Sequence, residues 1–200
     1  MNNAPDPANP SAPTHPCTTQ EGYGPHARAH ACVTAFAQAV RDILDSTEAP
    51  EVAGRVAEAM KPLLAEEELL CAALREDDAE RYRKHILYAD PEQKFTLLAI
   101  VWRAGQGTPV HGHTAWGTVG VYEGRPNVEV FDCSEGPDGR HQTRSLKDVC
   151  CEPGDVATVQ AGLCDVHRIY NATESTLITL HCYGLDLVED PDAINLHLTL

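Results

Sequence analysis

Apolar side chains recur at steps of three and four residues in the first half of the chain. One series covers residues 33–44 and ends at the polar turn 45–50, and a second covers residues 51–64. This spacing places the apolar groups on one face of a helix. It predicts two amphipathic helices, and the mixed apolar and charged run 69–83 predicts a further helical segment.

The pattern changes after Pro91, where short apolar segments alternate with turns rich in Gly, Pro and Asp. Such segments are typical of strands. We expect strands at 95–103, 116–122, 127–132, 156–160, 166–171 and 176–183, and a weaker one at 196–200. Many short strands favour a sandwich or barrel. The predicted fold class is therefore α+β, with N-terminal helices packed on a small antiparallel β-barrel.

Proline content divides the chain further. Residues 1–27 are rich in proline and poor in large apolar groups, so they cannot bury enough surface to offset the entropy of ordering. We expect a flexible tail there. Residues 28–200 are long enough for a single domain, in which 28–90 form a mainly helical flank and 91–200 the barrel.

Charge and cysteine content narrow the class of protein. Thirty acidic and fifteen basic residues give a formal charge of −15, which argues against binding to nucleic acid or to an anionic membrane surface. Eight cysteines without regular spacing predict reduced thiols. No apolar run has the length of a membrane span and no signal peptide precedes the helices, so we expect a cytoplasmic protein. The oligomeric state is left open.

Two histidines stand one residue apart, at His111 and His113, among glycines and valines. A strand directs both rings to one face. A third candidate ligand, His167, lies far downstream, so two remote strands would have to meet. Three neutral imidazoles are typical of a mononuclear metal enzyme. Imidazole suits iron, zinc, copper and nickel, and the spacing alone leaves the metal open.

These histidines lie in two motifs that resemble those of the cupin superfamily, whose fold is a jelly-roll barrel. Residues 105–124 keep every spacing of Gly-x5-His-x-His-x3-Glu-x6-Gly, with Gly117 in place of the glutamate ligand. Residues 154–171 are similar to the second motif and keep its His-x3-Asn end. Gln160 takes the position of the motif's proline, and two extra residues precede His167.

Three histidines without the glutamate are similar to the thiol dioxygenases of the cysteine dioxygenase type I family. The closer likeness is to the bacterial branch that includes 3-mercaptopropionate dioxygenase, through residues 82–88, 108–117 and 181–184. The resemblance covers roughly residues 80–187.

The resemblance implies a cofactor and a reaction. Iron(II) would be held by His111, His113 and His167, and both atoms of O2 would be added to the sulfur of a small thiol carboxylate to give a sulfinic acid. The partners would then be that thiol and O2. Cysteine, 3-mercaptopropionate and mercaptosuccinate all remain open as substrates.

A group of polar residues near the C-terminus is also similar to the family. Strand alternation directs Thr179, His181 and Tyr183 to the same side. They resemble the family's Ser-x-His-x-Tyr relay, with threonine in place of serine. The resemblance implies catalytic roles for all three, with the Tyr183 hydroxyl against the substrate. The structural alternative is a satisfied core histidine and a packed aromatic ring.

The substrate carboxylate needs a cation inside so acidic a protein. Lys84 is the first candidate, because the resemblance places it where the thiol dioxygenases carry arginine or glutamine. No arginine occurs in residues 185–195, where some bacterial relatives have one. A solvated charge beside Arg81 and Arg83 is the alternative role for Lys84.

Two other classes of function fit the three histidines. One is a different metal-dependent cupin enzyme, an isomerase or a dioxygenase of carbon substrates, which would not depend on Thr179, His181 and Tyr183. The other is a non-catalytic cupin that binds a metal or a ligand. Trp102 and Trp116 are expected to be apolar packing residues. Five isolated histidines lack ligand spacing and are expected at the surface or in turns: His15, His26, His30, His141 and His197.

Overall fold

Two helices open the described part of the protein. The computed structural model describes residues 25–198, with α1 at Pro25–Ser46 and α2 at Ala49–Leu64. Their inward faces carry the apolar residues that the spacing predicts: Phe36, Ala37, Val40, Ile43, Val52, Val56, Met60, Leu63 and Leu64. The two amphipathic helices are therefore confirmed. The predicted tail lies outside the described residues, apart from the three residues that begin α1.

The strands that follow form two antiparallel sheets. Within residues 25–198 they are Arg83–Ala89 (β1), Thr96–Trp102 (β2), His111–His113 (β3), Gly117–Glu123 (β4), Asn127–Glu135 (β5), His141–Cys150 (β6), Val156–Val159 (β7), Gly162–Tyr170 (β8), Leu177–Tyr183 (β9) and Asn195–His197 (β10). The first sheet has the order β1-β2-β9-β4-β7, and the second has the order β10-β3-β8-β5-β6.

The predicted barrel needs correction, although antiparallel strands carrying N-terminal helices are found as expected. Among the described residues the strands pair as two separate five-stranded sheets, and no ladder closes them into one barrel. The alternation of side chains along a strand fixes which face is buried. It does not fix which strand lies at each edge, so the sequence pattern could not separate a barrel from two sheets.

The predicted third helix is wrong. Residues 69–83 contain a single 3-10 turn at Ala72–Leu74, and strand β1 begins at Arg83. All seven residues of β1 are half-buried, so no apolar alternation marks it as a strand. Strand β6 was also missed, because it is an edge strand that is exposed along most of its length.

The first sheet separates two apolar clusters. Strands β2 and β9 pair with each other and are buried along all seven residues of each. One face contacts the helices through Leu97, Ala99 and Val101 of β2 and Ile178, Leu180 and Cys182 of β9. The other face turns toward the second sheet through Leu98, Ile100 and Trp102. Residues of β9 alternate between the two faces in the same way, so Thr179, His181 and Tyr183 face the second sheet.

Hydrogen bonds join α2 and the segment that follows it to the first sheet. The Thr118 hydroxyl donates to the carbonyl oxygen of Ala53 at 3.0 Å, and the Tyr122 hydroxyl donates to that of Glu66 at 2.8 Å. Both bonds are buried and both start on β4, so they add a directional constraint to the apolar contact. No helix in residues 25–198 has the length and hydropathy that crossing a lipid bilayer demands.

The cysteines are in two states. Cys71 is disulfide-bonded, so the prediction of reduced thiols is wrong at this position. Disulfide formation depends on the distance between two Cα atoms in the fold, which spacing along the chain does not reveal. The other described cysteines are free: Cys32, Cys133, Cys150, Cys151, Cys164 and Cys182.

Candidate functional site

The structure brings the three predicted metal ligands together on the second sheet. His111 and His113 are the ends of β3, and His111 lies opposite His167 of β8 in the strand register. The ring centroids are 5.0, 5.0 and 4.9 Å apart, and one ligand nitrogen from each ring lies within 4.8 Å of the others. One ion could contact all three rings.

The longer spacing before His167 is accommodated by a strand irregularity. His111 pairs with His167 and His113 pairs with Gly162, so the two-residue step in β3 stands opposite a five-residue step in β8. The extra residues are accommodated by a register shift between the two pairs. The insertion therefore does not displace the third ligand from the other two.

Hydrogen bonds set the tautomers of two ligands. Nδ1 of His111 lies 3.0 Å from the carbonyl oxygen of Pro109, and Nδ1 of His167 lies 3.0 Å from that of Asp165. A carbonyl only accepts, so each Nδ1 carries the proton and donates it. Each Nε2 then keeps its lone pair, which is the arrangement that outer hydrogen bonds impose on histidines bound to metals.

His113 supplies the test of fit for a metal. Both of its ring nitrogens are buried and have no hydrogen-bond partner in the described protein. A buried polar atom without a partner costs free energy, so such atoms are rare unless an ion or water serves them. The three residues thus fit a metal with open positions, because no fourth His, Cys, Asp or Glu of residues 25–198 joins the group.

Burial keeps these histidines neutral. Burial is the larger cause and the neighbouring imidazoles the smaller, and together they lower the pKa of His111 to about 4 and the pKa of His113 to about 3. The pKa of His167 is also lowered by burial. Neutral imidazole is the form that binds a metal, so the site is ready for an ion at neutral pH.

The predicted relay forms a hydrogen-bonded chain on the facing sheet. Thr179 Oγ1 lies 2.7 Å from His181 Nε2, and His181 Nδ1 lies 2.8 Å from the Tyr183 hydroxyl. The three side chains alternate with Ile178, Leu180 and Cys182, which face the helices. Burial lowers the pKa of His181 to about 3 and raises the pKa of Tyr183, so both groups are neutral.

The ring of Tyr183 occupies the place left by a missing side chain. Gly117 pairs with Tyr183 between β4 and β9, and a Cβ atom on Gly117 would lie 2.4 Å from Tyr183 Cδ1. Gly117 is the position where the cupin motif carries its glutamate ligand. The ring lies beside the metal group, which consists of His111, His113 and His167, and its centroid is 6.3 Å from that of His113. A side chain at position 117 and this tyrosine position exclude each other.

Trp116 and Gly184 make the reciprocal contact. A Cβ atom on Gly184 would lie 2.1 Å from Trp116 Nε1, and the Gly184 amide donates to the carbonyl oxygen of Trp116 at 3.0 Å. The Tyr183 ring therefore covers Gly117, the residue after Trp116. The Trp116 ring covers Gly184, the residue after Tyr183. This explains the pairing of Trp-Gly with Tyr-Gly in the sequence. Trp116 packs against the helical cluster, as expected of an apolar residue.

Between the two sheets lies a cavity of about 270 Å³. Its walls include His111 and His167 of the metal group, and they include His181 and Tyr183 of the hydrogen-bonded chain. Most of the remaining lining is apolar, from Leu98, Ile100, Trp102, Val119, Val128, Val130, Val159, Ile169 and Ile194. This volume is below the range of drug-sized pockets, so it suits a small ligand.

Lys84 lines the same cavity, but its charge is already paired. Its Nζ donates to Asp192 Oδ1 at 2.6 Å and to the carbonyl oxygen of Pro191 at 2.8 Å. The side chain of Lys84 is 18% exposed and that of Asp192 is 67% exposed. No local pattern indicates this partner, which is 108 residues away. Lys147 is a second cation in the lining that sequence reasoning missed.

Asn171, the end of the second motif, has a structural task. Its Nδ2 donates to the carbonyl oxygens of Trp102 at 3.1 Å and Ser175 at 2.7 Å, and its Oδ1 accepts from the Thr173 amide. The side chain is 1% exposed. Asn171 therefore fixes the turn between β8 and β9, which carry the third histidine and the relay.

Comparison with known proteins gives only distant similarity, and no protein-family model matches the chain. A protein of Thermus thermophilus has 19% identity and a TM-score of 0.44, over 56% of this chain and 91% of that one. A cupin superfamily protein of Desulfitobacterium hafniense has 13% identity and a TM-score of 0.43, over 60% and 87%. Oxalate decarboxylase of Bacillus subtilis, which has Mn(II) centres, has 18% identity and a TM-score of 0.39, over 56% and 29%. Because these scores are below 0.5, we interpret the site from its own geometry.

The metal-free protein is expected to lose stability in acid. Unfolded histidine takes up a proton as the pH falls below about 6.5, whereas His113 in the folded protein has a pKa of about 3. The free energy of unfolding should therefore fall between pH 6.5 and pH 4. His113→Asn should reduce this slope by about 1.4 kcal/mol per pH unit, the value for one proton. Urea denaturation at several pH values measures it. His30→Gln, which replaces an exposed histidine, is the control and should leave the slope unchanged.

A Gly117→Ala substitution tests the contact with Tyr183. The added methyl group would overlap the ring, so the free energy of unfolding should fall by about 1–3 kcal/mol. Gly54→Ala is the matched control, because a Cβ atom there meets nothing within 4 Å and Gly54 lies inside α2. That control should gain up to about 1 kcal/mol. Equal stability of both variants in urea denaturation would contradict the close contact.

Proposed function

We propose that this protein is a non-haem iron(II) thiol dioxygenase of the cysteine dioxygenase type. It would add both atoms of O2 to the sulfur of a small thiol carboxylate, of the cysteine or 3-mercaptopropionate type, to give a sulfinic acid. The observation that carries the proposal is one cavity with two different walls. One wall holds a three-histidine group that no fourth ligand joins among residues 25–198, and the other holds the chain from Thr179 to Tyr183.

The ligand set supports this reaction class over simple ion storage. Three ligands on one side leave the remaining positions free for small molecules. Bound there, iron(II) would supply the redox chemistry with O2 and would favour the thiolate form of the substrate. The reaction balances without another reductant, since thiol plus O2 gives sulfinic acid. The sulfur atom is oxidised by four electrons and the two oxygen atoms are reduced.

The chain from Thr179 to Tyr183 gives the cavity a fixed polar group. Burial raises the pKa of Tyr183, so its hydroxyl stays protonated and can donate a hydrogen bond. His181 holds that hydroxyl at 2.8 Å and is itself held by Thr179. A group positioned in advance costs no reorganisation when the substrate reacts. The raised pKa of Tyr183 and its hydrogen bond to His181 support a role for this residue in positioning the substrate and holding a proton.

The remaining walls select for size and shape. Side chains such as Leu98, Ile100 and Ile169 provide an apolar surface for a short carbon chain. They also exclude bulk water, which strengthens every polar interaction inside the cavity. Lys84 is the cation that we assign to the substrate carboxylate, and its bond to Asp192 would have to open or be shared when the anion binds.

Oxygen uptake by the iron-loaded protein tests the proposal. Metal-free protein is loaded anaerobically with iron(II), and O2 consumption is measured with cysteine, 3-mercaptopropionate and mercaptosuccinate. One thiol should be consumed in equal amount to O2, and its product should gain the mass of two oxygen atoms. His113→Ala should abolish uptake, because one of the three ligands is lost. Zinc-loaded protein is the control for metal identity and should give no uptake.

Other outcomes would favour the rival functions. Undiminished thiol oxidation by Tyr183→Phe would remove the role assigned to the hydroxyl chain. Tight metal binding without oxidation of any thiol in the panel would favour a different cupin reaction, such as isomerisation or oxygenation of a carbon substrate. Retention of a small ligand without turnover would favour a binding protein. Metal analysis accompanies each assay, so that a failure of loading is recognised.

The pair Lys84 and Asp192 is expected to set affinity for the anion. Lys84→Met should raise the KM for a thiol carboxylate about tenfold or more, because a buried carboxylate would lose its charged partner. Asp192→Asn should lower that KM, because the competing carboxylate is removed. A thiol of similar size without a carboxylate is the matched substrate and should respond to neither change. Equal KM values for all variants would show that Lys84 does not bind substrate.

A further inference from the structure

Trp102 makes a polar contact that its apolar surroundings conceal. It is the last residue of β2 and is fully buried, with its ring against Tyr82 at a centroid distance of 4.5 Å. Its indole Nε1 donates a hydrogen bond to Thr179 Oγ1 at 2.8 Å. The chain that ends at Tyr183 therefore begins at this tryptophan.

The indole group fixes the direction of the next hydrogen bond. An indole N–H donates only and has no lone pair to offer. The Thr179 hydroxyl accepts from Trp102, so its own hydrogen must go elsewhere. Its second polar neighbour is His181 Nε2, at 2.7 Å. That nitrogen accepts the hydroxyl hydrogen.

The hydrogen bond at His181 Nε2 also determines which tautomer the imidazole ring adopts. Neutral histidine carries one proton, and accepting at Nε2 places that proton on Nδ1. Nδ1 of His181 lies 2.8 Å from the Tyr183 hydroxyl oxygen, which accepts it. The hydrogen of the Tyr183 hydroxyl is left over. Since Tyr183 lines the cavity, this hydrogen is available to a molecule bound there.

The opposite direction of the hydrogen bonds would leave the Thr179 hydroxyl hydrogen buried without an acceptor. If Tyr183 donated to Nδ1, then Nε2 would donate to Thr179, and the Thr179 hydrogen would need an acceptor. Thr179 is fully buried, and its polar contacts are Trp102 and His181. That hydrogen would stay unpaired away from water, which is more costly than an unpaired hydrogen facing a cavity.

We propose that Trp102 is a positioning residue that orients the whole chain. Its N–H occupies the Thr179 oxygen, so that His181 holds its proton on Nδ1 and Tyr183 presents its hydroxyl hydrogen to the cavity. The tautomer assignment stands on the geometry alone. Only its meaning for catalysis rests on the proposed function.

Nitrogen NMR of the metal-free protein tests the tautomer directly. In protein labelled with 15N-histidine, long-range proton–nitrogen spectra distinguish Nδ1–H from Nε2–H, and His181→Gln identifies the signals of His181. We expect the Nδ1–H form to exceed the other by about tenfold. A predominant Nε2–H form would overturn the proposal.

Two further proteins separate Trp102 from Thr179. Replacing Trp102 by 3-benzothienylalanine keeps the shape of the ring and removes the N–H, so the ratio of tautomers should fall toward one. Thr179→Val removes the hydroxyl and should make the two tautomers about equal, whereas Thr179→Ser should preserve the original ratio. An unchanged ratio in the benzothienylalanine protein would show that Trp102 does not direct the chain.

Folding and activity are followed separately. The benzothienylalanine protein tests the N–H without creating a cavity, and Trp102→Phe is a second variant in which a water molecule could accept the Thr179 hydrogen. If half of the molecules keep the productive direction, kcat falls only about twofold with KM unchanged. The NMR ratio is therefore the decisive measurement, and it retains its value if thiol oxidation is not the activity of this site.

Discussion

The ring of Tyr183 and a side chain at position 117 compete for one space. Strands β4 and β9 place the two residues directly opposite each other, and the ring lies where a Cβ atom of residue 117 would point. The cupin motif that this segment resembles carries a glutamate ligand here, and a side chain at this position would displace the tyrosine. Glycine keeps the tyrosine and leaves the metal group with three neutral donors. The packing of β4 against β9 thus leaves room for either the tyrosine ring or a side chain at position 117.

That packing depends on the burial of both faces of the first sheet. The face toward α1 and α2 is covered by apolar residues, among them Leu180 and Cys182 of β9. The alternate residues of the same strand, Thr179, His181 and Tyr183, then face the second sheet with no freedom to turn away. A slip of one residue would move the polar chain into the helical cluster. The helices therefore help to position the site by covering the opposite face of the sheet, although neither helix contributes a residue to the cavity lining.

Local patterns predicted much of this arrangement. The spacing of His111 and His113 and the alternation from Thr179 to Tyr183 follow from the geometry of a strand, so those side chains could be assigned to faces in advance. The edge strands β1 and β6 could not be recognised, because one is half-buried throughout and the other is mostly exposed. The bonds of Lys84 to Asp192 and of Trp102 to Thr179 join residues 108 and 77 positions apart. Such contacts depend on how the fold brings remote segments together, which no local pattern records.

Charge at the site is arranged differently from charge over the whole protein. The chain carries a formal charge of −15, which repels an anion at long range. Inside, the metal group is neutral, since burial lowers the pKa of His111 and His113 far below neutrality. Neutral ligands leave the full charge of a divalent ion uncompensated, so the ion itself would attract a thiolate or a carboxylate. Lys84 adds little to this attraction while Asp192 holds it. With a divalent ion bound as we propose, the attraction for an anion would therefore be strongest beside the three histidines.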